Sequence, residues 1–209
     1  MLKKVLNEYV YQNKKIIIGI FICILIGVLS GIVIYLLSGK DVKQNLSLQM
    51  SDSIKLSDNG EYIKTEIIYN GIRNNVIYIL IMFGLSVMLY GSLVMYLLYI
   101  LKGISIGIYI ATLFGIFGFW WGLLVVLILV ILVNVVYLPA IVFIGVTLIN
   151  YNLNVMEYRS EVKNVIHLSK VVFNTCFGFI IIFSSIIVEQ LMSNIVIKIS
   201  NYLWKYVQK

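Results

Sequence analysis

From Trp120 to Ile149 the chain runs thirty residues without one charged side chain. A soluble domain has no need of such a stretch. A bilayer's hydrocarbon slab of ~30 Å demands ~20 consecutive apolar residues from each helix that crosses it. Comparable runs lie before and after it, and all are solid Ile, Leu, Val and Phe. Barrel strands would instead alternate polar and apolar side chains over ~10 residues. The predicted fold is therefore all-α: a polytopic integral membrane helical bundle of about five transmembrane helices, plus amphipathic interfacial helices, forming a single membrane domain over 1–209.

Charge supports this reading. Only 12% of residues are charged, about half the share in soluble domains, and the mean hydropathy is +1.01. The net charge of +7 comes from Lys residues that flank apolar runs, so anionic lipid headgroups of the bilayer are the expected partner and nucleic acid is not. Cys23 and Cys176 each sit within an apolar run, where a thiol behaves as a small hydrophobe, and no disulfide is expected.

In chain order, 1–15 reads as an interfacial helix, with Leu2, Val5, Leu6, Tyr9 and Val10 on one face and lysines on the other. The first span is 16–37, too long for a signal-peptide core and followed by no small-residue cleavage site. Gly27 and Gly31 make a small-residue pair on one face of it. The 38–71 segment is polar and nearly neutral, and is predicted to be a small helical extracytoplasmic loop. Spans follow at 76–101 and 104–119, with Lys102-Gly103 as a tight turn between them. Gly103, Gly107, Ala111 and Gly115 recur at every fourth residue, so on a helix they share a face that another backbone can approach closely.

Gly118-Phe119-Trp120-Trp121-Gly122 reads as a hairpin at the membrane interface, the level that indoles prefer. The run 120–149 is too long for one straight crossing. It is favoured as a helix kinked at Pro139, whose ring clashes with the carbonyl of Val135; a crossing plus a re-entrant arm is the rival reading. Asn134 either bridges helices through its amide, satisfies carbonyls that Pro139 frees, or lines a pathway. A polar surface helix is expected in 151–170, a last span at 171–188, and an amphipathic tail at 192–209. The lysine cluster ahead of the first span predicts a cytoplasmic N-terminus.

Reactive constellations do not emerge. His167 is the only histidine, which removes histidine-based metal clusters and hydrolytic triads, and no catalytic, cofactor-binding or metal-binding residue is assigned. The expectation is a non-enzyme without cofactors. Whether it forms homo-oligomers stays open.

The Leu101-Lys102-Gly103 step with Gly107, the Gly118 to Gly122 hairpin, and Asn134 with Pro139 together resemble the stage II sporulation protein M family across nearly the whole chain. That resemblance implies a membrane protein of endospore-forming bacteria, working on the mother-cell and septal side of the cytoplasmic membrane during engulfment. It implies a scaffold that anchors and localises a peptidoglycan-remodelling complex with two wall-hydrolase partners, the stage II sporulation proteins D and P. The family's helices also resemble membrane subunits of ABC-type exporters in fold alone. The alternative reading is therefore an exporter subunit driven by an ATPase partner docked within 151–170.

Overall fold

The computed structural model describes residues 8–56, 64–88, 90–127, 133–157, 171–178 and 180. Among them the chain is helical throughout, with no strand. A helical turn at 8–12 leads into α1 (Lys14–Leu37). It is followed by α2 (Lys40–Leu56), α3 (Lys64–Val87), α4 (Gly91–Val126), α5 (Val133–Glu157) and a short α6 (171–178).

Among the described residues two helices, α1 and α4, are long and apolar enough to cross a membrane; Arg73–Val87 in α3 and Tyr137–Leu153 in α5 are shorter apolar stretches. The surface of α1 is the reverse of a soluble helix. Phe21, Ile22, Leu25, Leu29 and Leu36 are all more than half exposed, and oily side chains in that number on one helix belong against lipid. Its inner face carries Ile20, Ile24, Gly27, Gly31 and Tyr35. That face runs along α4 in the most extensive helix pairing of the fold. The core continues through Met82 of α3, Met95 and Tyr99 of α4, Ile144 and Leu148 of α5, and Val171 of α6.

Ser38 ends α1. Its backbone is extended, with φ of −65° and ψ of 146°, its N–H reaches the carbonyls of Ile34 and Tyr35, and its hydroxyl donates to Ile34 at 2.7 Å. Lys43 then reaches back to the Leu36 carbonyl at 2.8 Å, and its ammonium lies 5.5 Å from the Tyr35 ring centre. These contacts tie α2 over the end of α1. The 38–71 segment is thus two elements: the helix Lys40–Leu56 and the opening of α3.

Gly118 divides α4. Its φ of 72° with ψ of 178° lies in a region open to glycine almost alone. Beyond it the chain folds back, because Val125 packs with Leu113 and Phe117, and the missing Cβ of Gly122 would sit 3.1 Å from the Phe114 Cα. Eight residues along a straight helix would separate them by ~12 Å. The first arm, 91–117, is about 40 Å long.

Several predicted boundaries are corrected. The predicted span 76–101 is broken at 88–90, where Tyr90 takes a left-handed φ of 61°. Lys102-Gly103 is no turn: α4 passes straight through it, because Gly103 is needed as a packing surface and Lys102 finds an aromatic ring to its side. Hence 104–119 is the outer part of a longer helix and not a separate short span. Pro139 is exposed near the start of α5, and the helix continues through it; 120–149 is not one run kinked there, because α4 ends at Val126 and α5 begins at Val133. The same helix runs on to Glu157, past the predicted end at 149, because Tyr151 and Asn152 are core residues. At the N-terminus, Tyr9 packs on Phe143 with ring centres 5.5 Å apart, so that turn docks on the bundle through its tyrosine. Residues 1–7, the segment 158–170, most of 171–188, and the tail 192–209 lie outside the described residues.

Candidate functional site

Four glycines set the seam between α1 and α4. Built onto Gly27, a Cβ would meet the Ile100 carbonyl oxygen and come within 2.8 Å of the Gly103 Cα. Gly103 returns the contact, its own Cβ position falling on the Ile24 carbonyl oxygen and 2.9 Å from the Gly27 Cα. One turn on, Gly31 faces Ile104 and Gly107 faces Val28, again backbone to backbone. Real Cβ atoms do not approach that closely, so only glycine allows this separation. Ala111 is buried beyond the second pair, and at Gly115 the Tyr35 hydroxyl occupies the space a side chain would need. The ladder thus meets α1 backbone to backbone at Gly103 and Gly107, and a tyrosine of α1 covers Gly115.

A polar clamp holds the junction of α3 and α4. Asn152 of α5 is fully buried. Its Nδ2 donates to the Ser86 carbonyl at 2.9 Å and the Met88 carbonyl at 2.8 Å, with a longer reach of 3.5 Å to Leu85, and its Oδ1 accepts from the Ser92 N–H at 2.9 Å. One amide thus serves the carbonyls that end α3 and an amide that starts α4, groups a helix leaves unpaired at its termini. Gly91 makes this fit possible, since a Cβ there would collide with the Leu85 carbonyl. Nearby, Asn150 donates to Asn13, fastening α5 to the start of α1. Burial raises the pKa of the Tyr9 phenol in the same corner.

A third polar group lies where α3, α4 and α5 meet. The fully buried Tyr99 donates to the Ile141 carbonyl at 2.9 Å, entering the space that a side chain on Gly145 would fill, where its Cζ stands 2.8 Å from the missing Cβ. Tyr137 donates to Asn75 Oδ1 at 2.7 Å, and the Lys102 ammonium lies 5.0 Å from the Tyr137 ring centre. An ionisable residue among membrane helices is costly and marks a place of interest. Lys102 is such a residue, and assigning it to a turn concealed it. Asn134 lies in the first turn of α5, and its side chain is outside what the structure describes; Pro139 is exposed, between Tyr137 and Ile141 of the third group.

Sequence reasoning missed Asn75, Tyr99, Gly145 and Asn152. Two signals were present: Tyr99 and Lys102 are three residues apart on one helix face, and Asn150 and Asn152 follow directly on an apolar run. Nothing local pairs Asn152 with an acceptor sixty-odd residues away. Chemically, these groups donate and accept hydrogen bonds between helices. Among the described residues, no three His, Cys, Asp or Glu side chains gather where they could hold a metal ion.

An oily exterior, glycine-mediated helix contact and amide clamps at helix ends define a helical membrane protein. Comparison with known families then gives the particular one: the model of stage II sporulation protein M matches residues 20–193. The chain belongs to that family, and it is a sporulation-related membrane protein. No curated protein and no solved structure matches it.

Proposed function

We propose that this protein is a non-enzymatic membrane scaffold of engulfment, crossing the cytoplasmic membrane about five times with its N-terminus in the cytoplasm. It anchors a peptidoglycan-remodelling complex on the mother-cell and septal side and localises its wall-hydrolase partners, the stage II sporulation proteins D and P. Family membership supports the sporulation setting. The observation that carries the scaffold reading is the way α2 is held. Lys43 fastens it to the end of α1, while Met50 packs on the Leu113, Phe117 and Val125 cluster at the fold-back of α4. A polar helix pinned to one end of an apolar bundle is a surface that a partner can grip. Phe119 and Trp120, directly after the fold-back and 66% and 79% exposed, suit the headgroup level and set that end of the bundle at the membrane face.

The test replaces 40–56 with an unrelated polar helix of equal length in the full chain and measures wall-hydrolase recovery from detergent extracts of sporulating cells. Recovery at background is expected. Recovery equal to the wild type contradicts α2 as the contact surface.

A further inference from the structure

Asn152 sets α3 and α4 level with each other. Its one amide holds the Ser86 carbonyl of α3 and the Ser92 N–H of α4, and from there the two helices pack side by side through Met82, Met95 and Tyr99. Three helical turns along each, about 16 Å, stand Asn75 and Gly103. Tyr137 of α5 agrees with that match, since it donates to Asn75 at 2.7 Å while its ring centre lies 5.0 Å from the Lys102 ammonium. Gly103 in turn packs on Gly27, in the middle of α1 (Lys14–Leu37). Arg73 and Asn74, within about 3 Å of helical rise from Asn75, therefore lie near the mid-depth of the first span.

Both are exposed. They sit on the outer face of α3, which continues through Ile77, Leu80 and Ile81, while Ile79, Met82 and Ser86 turn inward. A guanidinium against bare hydrocarbon is costly, so a face that carries one at mid-depth calls for a carboxylate opposite. This chain has none to offer: no Asp or Glu falls within 16–37, 76–149 or 171–188. A second copy related by a symmetry axis along the membrane normal would bring Arg73 against Arg73 at one depth. The matching charge has to come from a different protein.

We infer that this face of α3 is the docking surface for a transmembrane helix of another protein, one with an Asp or Glu near its midpoint that pairs with Arg73. Asn74 adds an amide contact of the kind that joins membrane helices, and Ile77, Leu80 and Ile81 pack the apolar flank. Arginine suits the task because its planar fork grips a carboxylate through two N–H groups. The surface is separate from α2 and stands whichever partner α2 meets.

Dye-labelled full-length protein is reconstituted in phosphatidylcholine vesicles with a labelled leucine-alanine transmembrane peptide carrying Asp at its midpoint, and association is read by fluorescence transfer. The midpoint-Asp peptide is expected to bind roughly tenfold or more tighter than the same peptide with Leu there, or with Asp moved to its end. Arg73→Leu removes that preference while leaving the thermal melt intact, and Arg73→Asp transfers it to a midpoint-Lys peptide. Equal binding of the peptides, or a preference that survives Arg73→Leu, overturns the surface. In sporulating cells, a photo-crosslinking residue in place of Ile77 should join α3 to a membrane span of another protein that contains Asp or Glu. No crosslink, or one only to lipid, to a second copy, to another part of this chain or to a span without a carboxylate, overturns the partner.

Discussion

The Gly103 Cα lies 2.8 Å from the place where Gly27 would carry its Cβ, and the Gly27 Cα lies 2.9 Å from the corresponding place on Gly103. Each glycine is the other's reason for being glycine. A methyl on either pushes the helices apart, and overpacking of this kind costs about 1–3 kcal/mol. Gly27→Ala and Gly103→Ala should each lower stability by that amount in reversible unfolding from mixed micelles. Gly84→Ala, with open space around its Cβ position, should be neutral or gain up to about 1 kcal/mol from helix propensity.

Gly118 and Tyr90 are the two described residues with positive φ, and they predict opposite signs. No atom lies near a Cβ built on Gly118, so Gly118→Ala isolates backbone strain and should cost about 1–3 kcal/mol. Tyr90 is 59% exposed and gives up little packing, so Tyr90→Gly should stabilise by about 1–2 kcal/mol. Thermal melts of both variants in one detergent check the pair.

Asn152 separates donor from acceptor. Asn152→Ala strands the Ser92 N–H and the carbonyls at the end of α3, for about 1–3 kcal/mol. Asn152→Asp keeps the oxygen facing Ser92 but loses the amide donor and brings a carboxylate among carbonyls, so it should be the more damaging of the two. Hydrogen exchange at residues 86–92 should quicken in both while the middle of α1 keeps its protection.

Tyr99 and Gly145 occupy one space between them. Gly145→Ala should be strongly destabilising alone and nearly neutral in a Tyr99→Ala background. The coupling energy from that double-mutant cycle should reach about 1–3 kcal/mol. Additive effects would mean that the tyrosine does not enter the groove.

What could be read in advance follows from how far apart the interacting residues are. The glycine ladder on α4 was legible because close backbone approach needs the absence of side chains, and absence is visible in a sequence. The reversal at Gly118 was legible for a related reason, since two glycines bracket three aromatic residues, Phe119, Trp120 and Trp121. The break at 88–90 was not: Met88-Leu89-Tyr90 is as apolar as its surroundings, and the amide that makes it tolerable sits on α5. Lys102 misled because a charge beside glycine resembles a turn, whereas here the glycine faces α1 and the charge faces Tyr137 on α5.

If, as proposed, a rigid bundle carries wall-hydrolase partners, the most direct test is wall-hydrolase recovery on full-length protein bearing Gly103→Val against Gly84→Val, at equal membrane abundance. Recovery should collapse for Gly103→Val, which forces α1 from α4, and stay at the wild-type level for Gly84→Val. Full recovery on Gly103→Val would contradict the claim that this seam is what holds the partners in place.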